Sequence, residues 1–243
     1  MGILELKNLK KSFGGVHAIS GCTLSFARGK LTAVIGPNGS GKTTLVNVLS
    51  GIYSMDGGTV IVSGKSLRVI SSEDLPALGI TRSFQDVRLF EQMTVVDNIL
   101  VVLTKRNPWK ALLERTDAAQ IARAEMVLKK VGLWEKRAEL AHTLSYGQRK
   151  LLEIARVLAM DTDIILLDEP FAGLFKEMIR TIVIIISELK AKGKTIILIE
   201  HNMDLIRELA DYVVVLDAGA LLAEGVPSDV LARRDVIEAY LGE

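Results

Sequence analysis

Residues 36–44 form a glycine-rich segment between two apolar runs, with the sequence Gly-Pro-Asn-Gly-Ser-Gly-Lys-Thr-Thr. The run before it, Leu31–Ile35, has the length and composition of a buried strand, and the run after it, Leu45–Leu49, continues as a helix. Glycines let the backbone fold closely around an anion, and the free N–H groups at a helix N-terminus favour negative charge. The segment therefore predicts a strand–loop–helix unit that binds phosphate, as part of an α/β fold.

The spacing within this loop fits the pattern G-x-x-x-x-G-K-[ST], which binds the phosphates of a nucleoside triphosphate. We expect Lys42 to reach the β- and γ-phosphates and the Thr43 hydroxyl to bind Mg²⁺. The other residues of the loop are expected to surround the phosphates, and they are Asn38, Gly39, Ser40, Gly41 and Thr44. A chance glycine-rich turn is the alternative, and the flanking strand and helix argue against it.

The composition excludes several other classes of protein. A formal net charge of +1 argues against a nucleic-acid binder that works through bulk electrostatics. The single cysteine, Cys22, excludes an internal disulfide and a cysteine-rich zinc site. Hydrophobic residues make up 49% of the chain, yet no apolar run approaches the ~18 residues that span a bilayer. The apolar excess is therefore expected in a core buried on both faces of a sheet, or in a contact with another protein.

Short apolar runs with helical segments between them indicate how the core is organised. Continuous runs, rather than alternating ones, predict parallel strands covered on both faces, here Leu31–Ile35, Ile164–Leu167, Thr195–Ile199 and Tyr212–Leu216. Two other segments, Thr23–Phe26 and Thr59–Val62, predict strands at exposed edges, with residues 63–65 as a turn after the second. A helix is predicted over Lys176–Lys192, where apolar residues recur at helical spacing and Gly193 follows.

Residues 86–160 differ in character, because the strand-like runs vanish there. We predict an all-helical lobe with helices over Val95–Leu103, capped by Thr94, and over Gln148–Ala159. Between them Thr116 is predicted to cap a helix that ends at Gly132, with one apolar face made by Ile121, Ala124, Leu128 and Val131. The chain is thus predicted to be a single domain whose nucleotide-binding core spans 1–85 and 161–224, with the helical lobe at 86–160. Residues 225–243 form a helical tail, with a helix at Asp235–Leu241.

Two adjacent acids, Asp168 and Glu169, follow the apolar run Ile164–Leu167. A carboxylate at the C-terminal end of a strand beside a phosphate-binding loop can hold Mg²⁺, which predicts that role for Asp168. Glu169 then has the position of a base that polarises the water attacking the γ-phosphate. The alternative is a strand that ends in solvated acids, and the phosphate-binding loop weakens it.

The segment Leu144–Gln148 lies just before a predicted helix and offers a second anion site. Ser145 is a natural N-cap, and its hydroxyl lies beside the N–H groups at a helix start. One chain has no obvious use for two γ-phosphate sites, whereas a head-to-tail dimer has, because each lobe can close on its partner's nucleotide. The alternative is an ordinary cap and turn before a helix.

Taken together, these segments make the chain similar to an ABC-transporter ATPase subunit over essentially its whole length. Leu144–Gln148 resembles the LSGGQ signature of that family, with Tyr146 in place of the first glycine, and Asp168 and Glu169 match the end of its Walker B motif. The resemblance also implies roles for three further residues. They are Gln85 as the Q-loop glutamine, His201 as the switch histidine that contacts the γ-phosphate, and Phe13 as the aromatic that stacks on adenine.

The resemblance implies a P-loop NTPase core of the RecA-like type, with an antiparallel β edge region and an inserted α-helical lobe that carries the signature. It implies hydrolysis of MgATP, with catalytic roles for Lys42, Gln85, Glu169 and His201. The metal site would use Thr43, Gln85 and Asp168, and the residues that act on the partner's nucleotide would be Ser145, Gly147 and Gln148.

Within the family, the chain most resembles ATPases of branched-chain amino-acid importers. Four stretches carry this resemblance: Thr81–Phe90, Gly147–Arg156, Ile199–Met203 and Ala239–Glu243. Related ATPases for urea transport or lipopolysaccharide export share parts of them and remain alternatives. The implied partners are transmembrane permease subunits, a second copy or a paralogue in an ATP sandwich and, indirectly, an extracytoplasmic solute-binding protein. The implied location is the cytoplasmic face of the cell membrane, reached through the permease.

A permease helix is expected to dock near residues 85–103. The apolar residues that would line this groove are Phe84, Val87, Leu89, Phe90 and Met93, and those at its rim are Arg82, Arg88 and Glu91.

The D-loop, which corresponds here to residues 171–176, departs from the family pattern, because Phe175 stands where an Asp or Asn is usual. An aromatic ring cannot replace a directed hydrogen bond, so we expect Phe175 to weaken or alter the coupling of the dimer.

Three rival functions remain open from the residues. A soluble ABC ATPase acting on DNA would need a long coiled coil, and the chain has no heptad run. A small-molecule P-loop kinase would lack the Leu144–Gln148 segment and would need an arginine-rich lid. A regulatory scaffold of the same fold would lack the acid at position 169.

Overall fold

A computed structural model of the chain describes residues 2–83, 87–104 and 117–241. Two compact units are found. The first comprises Met1–Arg82, Thr162–Glu169 and Ile185–Glu243, and the second comprises Ser83–Asp161 and Pro170–Ile184. The described helices are all too short or too polar to cross a bilayer.

The first unit contains two sheets. The antiparallel sheet has the strands β1 (Leu4–Phe13), β2 (Val16–Phe26), β4 (Gly57–Val62) and β5 (Lys65–Leu67), in the order β2-β1-β4-β5. The larger sheet has the strands β3 (Leu31–Ile35), β6 (Ile80–Arg82), β7 (Ile164–Asp168), β8 (Thr195–Ile199), β9 (Tyr212–Asp217) and β10 (Ala220–Gly225), in the order β10-β9-β3-β8-β7-β6. Its helices are α1 (Lys42–Leu49), α6 (Met203–Leu209), α7 (Pro227–Val230) and α8 (Arg234–Leu241).

The parallel core of the larger sheet confirms the prediction made from the continuous apolar runs. Strand β3 pairs in parallel with β8 and β9, and β7 pairs in parallel with β6 and β8. Every residue of β3, β7 and β8 is buried, which is possible because both faces of the sheet are covered. The carboxyl ends of β3, β7 and β8 therefore lie at one edge. The phosphate-binding loop follows β3 there, while Asp168 ends β7 and Glu169 comes directly after it.

In the antiparallel sheet, the predicted turn at residues 63–65 is confirmed, whereas the predicted edge strand is not. Ser63 and Gly64 both have positive φ, at 49° and 84°, which is the conformation of a two-residue hairpin turn. The segment Thr59–Val62 was predicted to be an edge strand, and this was wrong, because β4 pairs with β1 on one side and β5 on the other. The three-residue strand β5 was too short to be recognised from its sequence and takes the edge instead.

The second unit contains the helices α2 (Val95–Leu103), α3 (Ala118–Lys130) and α4 (Tyr146–Met160), and α5 (Lys176–Ala191) begins in it. Helix α2 has the predicted bounds, and the Thr94 side chain caps it by accepting the N–H of Asp97 at 3.1 Å. Helix α4 begins two residues before the predicted start, directly after Ser145.

Helix α3 differs from its prediction at both the cap and the buried face. Its N-cap is Asp117, which forms a capping box with Gln120, while Thr116 lies outside the described residues. Ala124 and Leu128 are buried as predicted, whereas Ile121 is 45% exposed and does not belong to the packed face. The break predicted at Asn107-Pro108 also lies outside the described residues.

Candidate nucleotide-binding site

The glycine-rich loop connects β3 to α1, as its sequence predicts. Gly41 is the N-cap of α1 with φ 99°, and Gly36 has φ 149°. A Cβ atom on Gly36 would lie 2.1 Å from the Leu216 carbonyl oxygen, and one on Gly41 would lie 2.4 Å from that of Ala18. Backbone atoms cannot yield as a flexible side chain does, so glycine is required at both positions.

Lys42 places its ammonium group inside this loop. Its Nζ donates hydrogen bonds to the carbonyl oxygens of Gly36 and Pro37, both at 2.9 Å, and the residue is only 6% exposed. Burial lowers the pKa of Lys42, and the negative charges of Glu169 and Asp168 oppose that shift. The positive charge is therefore held where the loop can surround an anion.

The first turn of α1 favours anion binding for a second reason. It contains no acidic residue, so nothing there offsets the partial positive charge of the helix N-terminus. The hydroxyl-bearing side chain of Thr43 is exposed and Thr44 is half-buried, while Asn38 and Gly39 are exposed and Ser40 is buried. The predicted loop residues thus form one continuous surface around the start of the helix.

Asp168 ends β7 as a fully buried carboxylate that is paired with Arg82. The Arg82 Nη2 lies 2.8 Å from Asp168 Oδ2, and Nη1 donates to Asn47 Oδ1 and Ser50 Oγ, both at 2.6 Å. The Arg82 side chain is 5% exposed, so its predicted place on the rim of a permease groove was wrong. A buried carboxylate requires a compensating charge, and Arg82 supplies it from the neighbouring strand β6.

Glu169 and His201 lie beside each other just beyond the adjacent strands β7 and β8. His201 Nε2 is 2.9 Å from Glu169 Oε1, and the Glu169 N–H donates to the Ile199 carbonyl oxygen at 3.0 Å. Glu169 has φ 46°, in the left-handed region that residues other than glycine rarely adopt. The parallel sheet therefore brings together two predicted site residues that are 32 positions apart in the chain.

The sequence reasoning missed Glu200, which supports this arrangement. Its buried carboxylate accepts the N–H of His201 at 2.9 Å and that of Asn202 at 3.0 Å. Asn202 in turn caps α6 by accepting the N–H groups of Asp204 and Leu205. Glu200 thereby fixes the turn that carries His201. An acid directly before the histidine was visible in the sequence, but nothing there indicated that it would be buried.

The signature segment begins α4 with a complete capping box. Ser145 Oγ accepts the N–H of Gln148 at 3.3 Å, and Gln148 Oε1 accepts the N–H of Ser145 at 3.0 Å. A Cβ atom on Gly147 would lie 2.3 Å from the Met178 sulfur, so the missing side chain permits close packing against α5. Ser145 is exposed at this helix start.

Within the second unit, Tyr146 of the signature segment packs against the D-loop, and Phe175 belongs to that loop. The Tyr146 ring packs against Gly173, where an added Cβ atom would lie 3.0 Å from Tyr146 Cε1. Phe175 is 81% exposed and makes a large apolar surface in front of α5. Its expected effect on dimer coupling stays a prediction.

Phe13 lies at the end of β1 with an accessible ring. The Phe13 and Tyr53 ring centroids are 5.0 Å apart in an edge-to-face arrangement, and Lys11 Nζ lies 5.1 Å from the Phe13 centroid. An exposed aromatic face is suited to stack on a nucleobase, as the family resemblance implies.

The two remaining predictions concern residues near the start of the second unit. Gln85 and Phe84 lie outside the described residues. Leu89 is half-buried and Phe90 is 45% exposed, and the Arg156 guanidinium lies 5.3 Å from the Phe90 ring centroid. Arg156 also donates to the Arg88 carbonyl oxygen, which holds this apolar segment beside a positive charge.

Comparison with known proteins assigns the family. A family model described as ABC transporter matches residues 19–172. The chain belongs to the ABC transporter family. A second model, described as branched-chain amino acid ATP-binding cassette transporter, matches residues 220–243. Family membership confirms the predicted P-loop ATPase fold and the predicted ATP-hydrolysing activity.

Individual ABC transporter relatives match over nearly their full length. The high-affinity branched-chain amino acid transport ATP-binding protein BraF of Pseudomonas aeruginosa is 38% identical, over 99% of this chain and 98% of its own. LivG of Escherichia coli, which has the same description, is 36% identical with the same coverage. A solved ADP conformation of an ATP-binding cassette of an ABC transporter is 34% identical and covers 100% of both chains, with a TM-score of 0.86.

Proposed function

We propose that this ABC transporter ATPase subunit drives a membrane permease for branched-chain amino acids from the cytoplasmic face of the cell membrane. The observation that carries the proposal is the near-full-length similarity to BraF and LivG, combined with the juxtaposition of Glu169 and His201 beyond β7 and β8. The similarity supports the solute class, since the ATPase subunit itself need not contact the solute. An extracytoplasmic solute-binding protein would deliver the solute to the permease.

Phosphate binding would depend on the loop between β3 and α1. The Lys42 ammonium would exchange carbonyl oxygens for β- and γ-phosphate oxygens, which are stronger acceptors because they are charged. The backbone of Gly39–Thr44 would donate the remaining hydrogen bonds. The Thr43 hydroxyl, the Asp168 carboxylate and the Gln85 amide are all oxygen donors, as Mg²⁺ prefers, and the bound cation would neutralise phosphate charge.

Glu169 would act as the general base. A carboxylate has two acceptor oxygens, so Glu169 can bond to His201 and also accept a proton from the attacking water. His201 would orient that carboxylate and contact the γ-phosphate, while Glu200 holds the His201 turn in place. These roles require only Glu169, His201 and Glu200, which lie close together just beyond strands β7 and β8.

The signature segment would act on the nucleotide of a second ATPase subunit. Ser145 Oγ already accepts the N–H of Gln148, and its hydroxyl proton can still be donated to a phosphate oxygen. Helix capping and phosphate binding by this hydroxyl are therefore compatible. Gly147 and Gln148 belong to the same helix start, whose dipole favours an anion. This arrangement supports an ATP sandwich of two such subunits, identical or paralogous.

Solute uptake by intact cells tests the proposed function. Deletion of the gene for this chain should reduce uptake of radiolabelled leucine, isoleucine and valine, and restoring the wild-type chain should recover it. Urea uptake and lipopolysaccharide export are measured in parallel, because related ATPases serve both. Normal leucine uptake combined with a loss of either of these would replace the proposed solute with the alternative.

A second prediction concerns the attachment to the permease. Replacing Leu89 and Phe90 together by serine should leave MgATP binding intact and reduce co-purification with the permease at least severalfold, because an apolar helix socket is lost. The measurement is the amount of permease recovered with a tagged subunit from membranes. The matched control replaces Ile121 and Met126 by serine, since these exposed apolar residues lie elsewhere in the same unit. If both double variants recovered equal amounts of permease, the proposed docking groove at Leu89 and Phe90 would be wrong.

A further inference from the structure

The C-terminal helix reaches the phosphate-binding loop through one side chain. The hydroxyl oxygen of Tyr240, on α8, accepts the backbone N–H of Gly36 at 2.7 Å. Gly36 is the first residue of the loop, and 204 positions of sequence separate the two residues. Tyr240 lies in the stretch Ala239–Glu243, which carries part of the family resemblance but has no functional role assigned to it.

Helix α8 is anchored so that this contact is held in place. Val236 is buried in an apolar cluster that includes Ile35 and Val215, from the strands β3 and β9, and Tyr240 packs against the same cluster. Burial raises the pKa of Tyr240 to about 12. The hydroxyl therefore stays protonated throughout the neutral range, and the contact does not change with pH there.

Gly36 is constrained from three directions. Its N–H is bonded to Tyr240, its carbonyl oxygen accepts Lys42 Nζ at 2.9 Å, and its Cα faces the Leu216 carbonyl oxygen too closely for any side chain. A shift of Gly36 would therefore move the carbonyl group that orients the Lys42 ammonium. Tyr240 is the one side chain among these contacts that comes from the C-terminal helix.

We propose that Tyr240 is a positioning residue for nucleotide binding, which holds the entry of the phosphate-binding loop in the conformation that receives phosphate. This inference rests on the proposed binding of MgATP by that loop. It requires no contact between Tyr240 and the nucleotide. The hydroxyl acts through Gly36, and the packing of α8 determines where the hydroxyl lies.

Tyr240→Phe tests the inference, because it removes the hydroxyl and keeps the ring that packs on the cluster. The Gly36 N–H then loses its partner, and loop conformations that do not bind phosphate become populated. A hydrogen bond of ordinary strength corresponds to roughly a fivefold change in the equilibrium between binding and non-binding loop conformations, so we expect KM for MgATP to rise by up to about fivefold. We expect kcat to stay within about twofold, because the Tyr240 hydroxyl bonds to Gly36, at the start of the loop.

Two controls separate positioning from a purely structural role. Val236→Ala weakens the packing of the same helix and keeps the hydroxyl, whereas Tyr212→Phe removes a hydroxyl from a partly buried tyrosine of β9. Thermal unfolding is followed for each variant. A raised KM in Tyr240→Phe with an unchanged KM in Tyr212→Phe supports the inference, and a smaller rise in Val236→Ala is expected because the packing of α8 positions the hydroxyl. An unchanged KM in Tyr240→Phe, or an equal rise in Tyr212→Phe, overturns it.

The variant Lys42→Ala distinguishes a failure of the positioning role of Tyr240 from a failure of the proposed nucleotide binding by the loop. If Lys42→Ala loses MgATP binding and Tyr240→Phe binds as tightly as the wild type, the positioning role alone is wrong. If Lys42→Ala binds MgATP normally, nucleotide binding by this loop is itself wrong, and the role of Tyr240 falls with it.

Discussion

Replacing Glu169 with glutamine is expected to abolish ATP turnover while ATP binding persists. Glutamine has nearly the same shape and can still bond to His201, but its amide cannot accept a proton from the attacking water. Loss of a general base lowers a rate by a factor on the order of a hundred or more. ATP hydrolysis is measured by phosphate release, and ATP affinity by calorimetry. We also expect the variant to accumulate as an ATP-bound dimer.

The matched control is Glu208→Gln, the same chemical change at an exposed position of α6. It should hydrolyse ATP at the wild-type rate. Near-normal steady-state hydrolysis by Glu169→Gln would remove Glu169 from the role of base. A simultaneous loss of ATP affinity would instead indicate that Glu169 supports the binding site rather than the chemical step.

Replacing Lys42 with alanine is expected to weaken nucleotide binding itself. The ammonium is the positive side-chain charge held inside the loop, and the neighbouring Thr43 offers no charge to replace it. A hydrogen bond to a charged group contributes about 1.5–3 kcal/mol, so MgATP affinity should fall roughly ten- to hundredfold. Calorimetric titration of the purified chain with MgATP measures this directly.

Lys30→Ala is the appropriate control, because it removes a lysine that is exposed just before β3. It should bind MgATP as the wild type does. Lys42→Arg retains the charge but not the compact ammonium, and we expect intermediate affinity. If Lys42→Ala and Lys30→Ala bound MgATP equally well, the loop would not be the phosphate site.

Much of the core could be predicted because its signals are local. Strands β3 and β8 have the predicted bounds, since each is a short continuous apolar run bounded by glycine or charged residues, which is typical of a parallel strand buried on both faces. The caps at Thr94 and Ser145 were predictable for the same reason, because a cap contacts N–H groups two or three residues away.

The contacts that escaped prediction join residues distant in sequence. Arg82 pairs with Asp168, 86 positions later, and Tyr240 meets Gly36 across the length of the chain. No local pattern distinguishes an arginine that balances a buried acid from one that rims a groove. The position of β4 within its sheet was missed likewise, because strand order depends on partners that a single segment does not reveal.

The backbone of Glu169 has a consequence for how this protein can change. A residue other than glycine at φ 46° forfeits roughly 1–2 kcal/mol relative to a relaxed conformation, and glycine at the same position would not. At position 169, glycine would therefore favour folding stability, whereas glutamate would favour the proposed ATP turnover. A directed-evolution experiment that selected for heat resistance alone would favour glycine here and yield a more stable protein that lacks the proposed proton acceptor. Only a screen that also demands ATP consumption would keep the glutamate.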